Sequence, residues 1–443
     1  MKRFSHLITL MSCAVILITS FAPAMAAAAD DSSVSDADSS SSAADDDSTL
    51  APDTTGYAVK PGLVFNNPKG TKAQQLAIIT PINAAIDHAP AGSTIRTAQF
   101  LFNIQSTADK LVAAHSRGVH VQMLIHDYPG SSQTAQMRKA LGTDKTKRSF
   151  VTHCNQSCMA STPSVMHAKF VTFSTSGSSR LVSMISSANI YSGNTYTSWN
   201  NNHTIVGDST IYNSLKEFFN DMLPDKDNLN YYRTTTSGIY RTYEFPRAAK
   251  DGVNTIVWLD VLNHVTCTGT APGYGYKGRT VIRVAQWGWT DSRLDVAKQL
   301  WKLHDQGCIV QVIDNNYNTS PTVTATLLKK SAKYGVMRVY TAAFNGNGGV
   351  YVHHKVLAIN GVWFGKKNTK VVYTGSPNLS NPATRSNNEL MLRVLDDATY
   401  NAYAANLSLI RDKWTKPVTK AAATSPALEA QLEANADSDS SDD

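Results

Sequence analysis

Beyond its first 21 residues, the sequence lacks any apolar run long enough to cross a bilayer. The run that does occur, residues 7–21, follows two basic residues and precedes Ala24-Met25-Ala26, a pattern of small residues typical of signal-peptidase sites. An apolar segment of this length is typical of a cleaved secretory signal rather than of a membrane helix. We therefore predict that residues 1–26 are a signal peptide and that the mature protein is soluble, secreted and extracellular.

Two further segments contain few large apolar side chains. Residues 27–55 are dominated by Ser, Asp and Ala, and residues 421–443 have a similar composition. Such segments cannot bury enough apolar surface to offset the entropy that is lost when a chain becomes ordered. We predict that both are disordered and acidic, so that the folded part is residues 56–420, a length that suits two ordinary domains.

Carboxylates are scarce in the part that is predicted to fold. The signal holds two of the 41 Lys and Arg residues, and the two acidic segments hold 14 of the 34 Asp and Glu residues. The folded part therefore has 39 basic and 20 acidic residues, a formal charge of +19. This excess favours anionic partners, namely phospholipid headgroups, nucleic acid or anionic wall polymers, and charge alone does not choose among them.

An internal repeat runs through the folded part. Each copy has a strand-like run, a helical stretch, a second strand-like run after a Gly turn and, further on, a His-x-Lys and a Ser-x-Asn motif. The copies are separated by between 186 and 189 residues at every feature, a regularity that indicates duplication. The repeated segments are 94–100 and 280–287, 118–125 and 307–313, 167–169 and 353–355, and 187–189 and 376–378.

The alternation of strands and helices within each copy predicts an α/β fold. We expect a tandem duplication in which two α/β halves, residues 56–234 and 235–420, pack as a pseudo-dimer. The division lies in a turn-like segment that is rich in Thr and Ser. Because one chain carries both halves, it needs no partner to complete a site between them, and we predict a monomer.

Cysteine is scarce as well, with five residues, of which four lie outside the predicted signal. An exported protein meets an oxidising environment, so disulfides are expected. Four cysteines allow three pairings, and we favour Cys154–Cys158 with Cys267–Cys308 because each pair then stays within one half. The alternative is a four-cysteine zinc site, although Cys-x3-Cys has no matching second pair here.

The two His-x-Lys motifs carry the candidate chemistry. Alternate residues of a strand point to one face, so His167 is expected beside Lys169. The same spacing places His353 beside Lys355, while His354 points to the opposite face. The lysines neutralise the charge of a phosphodiester, and a neutral imidazole attacks phosphorus without adding negative charge. With both copies at one phosphorus, one imidazole attacks while the other protonates the leaving oxygen, and neither a metal nor another cofactor is required.

Short polar turns follow each of these motifs. Hydroxyl and carboxamide donors recur there, as Ser187 and Asn189 in the first copy and as Ser376 and Asn378 in the second. We expect these groups to bind the non-bridging oxygens of the phosphate. Each motif alone is a weak signal, but the recurrence of both at a common separation favours a function over chance.

Together the motifs resemble the signature of the phospholipase D superfamily, His-x-Lys-x4-Asp followed by Gly-Ser-x-Asn. After His353 and Lys355, the second copy has Gly375-Ser376-Pro377-Asn378; the first copy has Ser186-Ser187-Ala188-Asn189 in the corresponding place. The resemblance extends over nearly the whole folded part. It implies two α/β/α sandwich halves, an active site at their interface and a covalent phosphohistidine intermediate.

Three features depart from that signature. Ser174 and Asn360 stand where the family has Asp, a residue to which the resemblance assigns a supporting role. Ser186 replaces the first Gly of the second motif. The carboxylate that orients a catalytic histidine in this family is matched by Glu389, whereas the corresponding Asn201-Asn202-His203 has none.

The unequal carboxylates predict different roles for the two histidines. An imidazole without a carboxylate partner stays neutral, which suits a nucleophile, whereas an imidazole beside Glu389 keeps its proton, which suits an acid. We therefore expect His167 to be the nucleophile and His353, paired with Glu389, to be the acid and then the base. The family's usual order of motifs agrees with this assignment.

Phospholipid is the substrate that these observations favour, hydrolysed in the manner of phospholipase D. Segment 269–278, with Tyr274 and Tyr276, and the pair Trp287 and Trp289 would contact a lipid interface, although both tryptophans suit a protein core equally well. The basic charge and the replaced Asp leave a secreted nuclease as the alternative. A non-catalytic anion-binding protein is the third interpretation.

Overall fold

Strands and helices form at the repeated segments in the computed structural model of the chain. The structure describes residues 56–126, 130–160, 163–249, 256–342 and 350–419. The predicted signal peptide and the two predicted acidic segments lie outside these residues.

The strands are β1 (Gly62–Phe65), β2 (Thr94–Gln99), β3 (His120–Ile125), β4 (Phe150–His153), β5 (Phe170–Ser176), β6 (Ser179–Ser186), β7 (Ser198–Trp199), β8 (Asn201–Val206), β9 (Arg233–Ser237), β10 (Tyr240–Glu244), β11 (Val265–Thr266), β12 (Val281–Ala285), β13 (Ile309–Asp314), β14 (Arg338–Thr341), β15 (Tyr351–Val352), β16 (Val356–Trp363), β17 (Lys366–Gly375), β18 (Leu390–Val394) and β19 (Lys416–Pro417). The helices are α1 (Lys72–Gln75), α2 (Ile79–Asp87), α3 (Gln105–Ser116), α4 (Ser132–Leu141), α5 (Ser192–Tyr196), α6 (Ser209–Met222), α7 (Val257–Asn263), α8 (Leu294–Asp305), α9 (Pro321–Leu327), α10 (Asn381–Arg385) and α11 (Asp397–Trp414). Two short 3₁₀ helices span Asp291–Arg293 and Asn316–Asn318.

Two sheets with the same topology confirm the predicted duplication. The first has the strand order β1-β8-β6-β5-β2-β3-β4, and the second contains the equivalent order β10-β18-β17-β16-β12-β13-β14. In each sheet the last three strands run parallel, and the fourth pairs antiparallel with the fifth. β9 and β19 extend the edges of the second sheet. The predicted division at residue 234 falls inside β9, which already belongs to the second sheet.

Helices cover both faces of each sheet, as expected for two α/β/α sandwiches. α2, α3 and α4 pack on one face of the first sheet and α6 on the other, while α7, α8 and α9 oppose α11 across the second. The sequence of α6 shows why it forms. Ile211, Leu215 and Phe218 recur at helical spacing and are buried, and Asp208 caps the first turn by accepting from the Ile211 N–H at 3.0 Å.

The two outer helices also join the halves. α6 shares an apolar cluster with the first sheet and with Leu390 and Leu392 of β18. α11 shares one with the second sheet, and Phe65 of β1 packs against its Tyr403, with ring centroids 5.0 Å apart. Each helix therefore buries apolar surface against both halves, which stabilises one half on the other.

The cysteines form the two predicted disulfides, Cys154–Cys158 in the first half and Cys267–Cys308 in the second. Their Cα atoms are 4.8 and 4.5 Å apart. A four-cysteine zinc site is therefore not formed, because each thiol is already joined within its own half. None of the helices among the described residues has the length and apolar character needed to span a membrane.

Candidate active site

Each His-x-Lys segment is held by the opposite half of the molecule. The His167 N–H donates to the Asn388 carbonyl and the His353 N–H to the Trp199 carbonyl, both at 2.9 Å. The prediction that the motifs lie on strands was wrong by a short distance, since β5 and β16 begin just after each motif. Their backbone instead hydrogen bonds across the interface, which brings both predicted motifs to the junction between the sheets.

His167 forms a buried ion-pair contact with Glu389. Its Nδ1 lies 2.9 Å from both carboxylate oxygens, and both side chains have no exposed surface. Asn387 Nδ2 also donates to the carboxylate, at 3.3 Å. The expectation that Glu389 would orient His353 is thus wrong: because the start of β18 faces the other half, its carboxylate reaches the histidine of the first copy.

His353 has a carboxamide partner in the same geometry. Its Nδ1 lies 2.7 Å from Asn200 Oδ1, and Ser187 donates to the same oxygen at 3.0 Å. Asn200 is the counterpart of Glu389, because it immediately precedes β8 as Glu389 precedes β18. The expected counterpart, His203, lies three residues further along β8, where burial lowers its pKa to about 4.

A consistent separation would have identified this residue from the sequence. Ser187 and Ser376 are 189 residues apart, and the same separation relates Glu389 to Asn200. The structure shows why the serine separation is the relevant one. Asn201 N–H donates to Ser187 Oγ at 3.0 Å, and Leu390 N–H donates to Ser376 Oγ at 2.9 Å.

The two lysines are buried beside the histidines. Lys355 Nζ lies 2.8 Å from His353 Nε2, and Lys169 Nζ donates to the His167 carbonyl at 2.8 Å. At most 1% of either lysine is exposed. Two ammonium groups held in a buried interface give the site a positive charge that suits an anionic substrate.

The four predicted phosphate-binding groups all lie at this junction and are buried. Both serine hydroxyls hydrogen bond to the strands that follow them, so they position Asn200 and Glu389. Asn189 Nδ2 donates to Asn194 Oδ1 at 2.9 Å, and Asn378 follows β17 in the equivalent position. Contacts between these groups and substrate oxygens stay a prediction.

Several residues of the site were not singled out by the sequence motifs. The Phe100 ring lies 5.3 Å from that of His167, and the Trp287 ring lies 5.2 Å from that of His353. Gln286 is fully buried, and neither its amide nitrogen nor its oxygen finds a hydrogen-bond partner in the described part of the chain. The signal was present: Gln99-Phe100 and Gln286-Trp287 are equivalent ends of the first repeated strand.

Asn315 positions the second motif. Its Nδ2 donates to the Val352 carbonyl at 2.7 Å, and its Oδ1 accepts from the Val352 N–H at 2.9 Å. In the first half, His126 Nδ1 accepts from the Met166 N–H at 3.4 Å. The residue before each catalytic histidine is therefore held by the end of the third repeated strand.

The aromatic segment that was expected at a lipid interface lies elsewhere. Tyr274 and Tyr276 precede β12, whereas the catalytic residues lie beyond its other end, so these side chains do not border the site. Trp289 is fully buried and Trp287 is 8% exposed, as the core interpretation of both predicted.

His354 and the two residues at the family's Asp position are also away from the catalytic groups. His354 accepts from Asn201 Nδ2 and donates to Asn406, and burial lowers its pKa to about 3. Ser174 accepts from the Thr94 N–H, and Asn360 accepts from the Gly275 N–H, both at 2.9 Å. Within the described ranges, no group of three or more His, Cys, Asp or Glu side chains is arranged to hold a metal ion.

Known proteins share this arrangement. The family model described as "Cardiolipin synthase, PLD-like domain" matches residues 82–223 and 278–410, which is more than half of the chain. No curated protein sequence matches the chain.

Solved structures share the fold at low sequence identity. Phosphatidylserine synthase from Haemophilus influenzae Rd KW20 has a TM-score of 0.56 and 12% identity, over 85% of this chain and 92% of that one. Polyphosphate kinase from Porphyromonas gingivalis has a TM-score of 0.53 and 13% identity, over 85% of this chain. The present chain spans 53% of the length of that kinase. At such identities the likeness concerns the fold alone.

Proposed function

Because this chain belongs to the phospholipase D superfamily, whose members act on anionic phosphodiesters of phospholipids or nucleic acids, we propose that it is an exported enzyme that hydrolyses a phospholipid through a covalent phosphohistidine. The observation that carries the proposal is the crossed pairing of His167 with Glu389 and of His353 with Asn200. It holds two imidazoles from opposite halves by their Nδ1 atoms, with a buried lysine near each.

His167 is the nucleophile in this proposal. When its Nδ1–H donates to Glu389, the neutral ring carries its lone pair on Nε2, the nitrogen that attacks phosphorus. Phosphorylation makes the ring cationic, and the buried carboxylate of Glu389 stabilises that charge. The assignment agrees with the sequence-based expectation, but its physical basis is the reverse: the carboxylate supports the nucleophile rather than the acid.

His353 is the general acid. Its partner Asn200 accepts the Nδ1–H and orients the ring but adds no negative charge, so the protonated ring gives up its Nε2 proton readily. For His353 to carry that proton, Lys355 has to release Nε2. A bound phosphate offers the ammonium group a negatively charged oxygen in its place.

The first step forms the phosphohistidine. The lone pair of His167 Nε2 forms a P–N bond while the bond from phosphorus to the alcohol oxygen breaks. Protonated His353 gives its Nε2 proton to the leaving oxygen, and the alcohol departs. Lys169 and Lys355 balance the negative charge on the non-bridging oxygens.

The second step reverses these roles. Neutral His353 takes a proton from water as the water oxygen attacks phosphorus. The P–N bond breaks and its electrons return to His167 Nε2, which releases a phosphomonoester. Both histidines then have their starting protonation states, so the cycle closes without a metal or another cofactor.

Two observations support a phospholipid as substrate. The matching family model and one of the similar structures are both named for enzymes of phospholipid synthesis. Aromatic rings of Phe100 and Trp287 also wall the two histidines and provide apolar surface beside the phosphate. The excess of 19 positive charges in residues 56–420 favours a nuclease as the second candidate.

Export is supported by the sequence of residues 1–26 and by the two disulfides, Cys154–Cys158 and Cys267–Cys308. Structural disulfides persist in oxidising compartments and are rare in the cytosol. Mass measurement of the protein recovered from culture medium tests this part of the proposal. A mature chain that still carried residues 1–26 would contradict it.

The substrate is tested by measuring choline release from phosphatidylcholine vesicles alongside nicking of plasmid DNA. We expect the wild-type enzyme to release choline and phosphatidic acid and to leave the plasmid intact. Nicking without choline release favours the nuclease. No turnover of either, together with anion binding that persists unchanged in His167→Ala, favours the non-catalytic interpretation.

A further inference from the structure

A second group of cations lies on the face of the second sheet that α7 covers. Arg241 of β10 and Arg393 of β18 are direct cross-strand partners, and Tyr373 of β17 lies opposite Arg393. Directly paired residues of antiparallel strands point to the same face, with their Cβ atoms about 5 Å apart. The three side chains therefore form one row across three strands.

The row places two like charges directly opposite each other, an arrangement that destabilises a sheet. Neither arginine takes part in an ion pair among the described residues. Arg241 Nη2 donates to Thr234 Oγ1 at 3.1 Å, but the Nε atoms of both arginines are buried without a hydrogen-bond partner in that part of the chain. A bound anion would supply both the missing negative charge and the missing acceptors.

These arginines line a cleft of about 530 Å³, a volume that suits a small organic ligand. Arg247 and Lys366 add two more cations to its wall. One carboxylate, that of Asp260, lines it too, and its charged neighbour is His264, whose Nδ1 is 3.8 Å away. Four cations thus face one carboxylate, which favours an anionic ligand.

One side of the cleft is apolar and open to solvent. Phe364, at the turn between β16 and β17, is 49% exposed and packs on Trp363, with ring centroids 4.6 Å apart. Leu395 is 37% exposed, and the neighbouring Ile239, whose carbonyl accepts from the Leu395 N–H at 2.9 Å, is 41% exposed. Exposed apolar side chains beside a cationic cleft match a ligand that carries both an anion and an apolar group.

We propose that this cleft is a second binding site, for an amphiphile that bears a phosphate group. The phosphate lies between Arg241 and Arg393, and the apolar part contacts Phe364 and Leu395. No catalytic residue lines the cleft. Arg393 is also four residues beyond Glu389 along the chain, a separation of about 13 Å in a strand. A lipid in a membrane and a dispersed amphiphile share this chemistry, and the experiment below separates them.

Titration calorimetry with monomeric dihexanoyl phosphatidic acid tests the site. We expect two equivalents to bind the wild-type protein, one at the catalytic site and one at the cleft. The double variant Arg241→Gln/Arg393→Gln should lose the second equivalent or bind it at least tenfold more weakly. Lys139→Gln, which removes an exposed cation from α4, is the matched control and should bind as the wild type does.

Thermal unfolding distinguishes binding from a structural role. Because the substitutions remove a like-charge pair, the double variant should unfold at the wild-type temperature or above it, and phosphatidic acid should raise that temperature less than in the wild type. One bound equivalent in the wild type, or identical titrations of the wild type and the double variant, would overturn the proposal. A double variant that unfolds at a much lower temperature would assign the two arginines to stability instead.

The membrane source is tested with Phe364→Asn. Phe364 has a φ of 45°, a left-handed conformation that Asn tolerates, so the turn should be retained. If membrane lipid is the ligand, the wild type sediments with vesicles of phosphatidylglycerol and Phe364→Asn does not. If the ligand is a dispersed amphiphile, neither protein sediments, while the second equivalent of phosphatidic acid still binds the wild type. Sedimentation of both proteins to the same extent would overturn the assignment of the apolar side.

Discussion

The two halves share a strand order and differ at the residue that each supplies to the other's histidine. The second half presents Glu389 to His167, and the first half presents Asn200 to His353. Carboxylate and carboxamide accept the same Nδ1–H, but only the carboxylate places a negative charge beside the ring. Duplication has thus retained a geometry and changed a charge, which is how two equivalent histidines become suited to different steps.

A second difference lies at the end of the third repeated strand. β3 ends at Ile125, followed by His126, whereas β13 ends at Asp314, followed by Asn315. Both Ile125 and Asp314 are buried, but burial raises the pKa of the Asp314 carboxyl to about 7. The second half therefore carries a titratable group where the first half has a hydrocarbon side chain.

The largest expected effect separates the histidines by the leaving group of the substrate. His167→Ala should lower kcat by at least about 10⁴-fold on every phosphodiester, because no nucleophile remains. His353→Ala should lose about 10³-fold on phosphatidylcholine but only about tenfold on a nitrophenyl phosphodiester, whose leaving group needs no proton. Initial rates on both substrates measure this. If the activated substrate rescues His167→Ala instead, the roles are exchanged.

The next effect concerns the charge beside the nucleophile. Glu389→Gln should lower kcat about 10²- to 10⁴-fold, because an amide orients the ring without stabilising its positive charge. Asn200→Gln, the neutral change at the equivalent position, is the control and should cost less. Rapid-quench measurement of the phosphoenzyme should show slower formation in Glu389→Gln. Equal losses in the two variants would remove the proposed asymmetry.

Giving the first half a carboxylate sharpens the comparison. Asn200→Asp places a negative charge beside His353 and favours its protonated form. The limb of the pH–rate profile on which activity falls with rising pH should move to higher pH by about one unit. The profile of kcat against pH for a lipid substrate measures this. An unmoved limb would show that His353 is not the acid.

The two disulfides should contribute unequally to stability. Cys267–Cys308 spans 41 residues and Cys154–Cys158 spans 4. By the chain-entropy estimate, removing the first with Ser substitutions should cost about 4 kcal/mol and removing the second about 2 kcal/mol. Denaturant unfolding of the two double variants measures both values. The reverse order would mean that native packing around the shorter loop dominates.

The smallest effect is the pH dependence that Asp314 introduces. An Asp carboxyl ionises near pH 4 in the unfolded chain, whereas the folded pKa is about 7. Between these values the folded state holds a proton that the unfolded state has lost, so stability falls as pH rises through that window. Asp314→Asn should flatten this slope and add up to about 4 kcal/mol at pH 8. Unfolding curves from pH 4 to 8 test this, and parallel curves for variant and wild type would contradict it.

Much of the fold could be predicted because it rests on local pattern. The recurrence of strand, helix and motif at a nearly constant separation indicated the duplication, and the disulfide pairing followed from keeping each pair within one half. The catalytic motifs were recognisable because His and Lys two residues apart, repeated once, form a distinctive pattern. These inferences need only positions along the chain.

The partner of Glu389 could not be predicted in the same way. A separation in sequence relates equivalent positions, but it does not say which half a side chain faces. The start of β18 lies against the first copy's motif because Asn388 accepts its backbone N–H. The residue-by-residue match of Glu389 to His203 also failed, since the two connections before β8 and β18 differ in length.

The sequence by itself determined the duplication, the pairs His167/Lys169 and His353/Lys355, and the chemistry that two imidazoles and two ammonium groups can perform. Only the tertiary structure decided that the halves cross, so that Glu389 acts on His167 and Asn200 on His353. The physical reason is that α6 and α11 each bury apolar surface against both sheets. That burial sets the placement of one half on the other and, with it, the charge beside each catalytic ring.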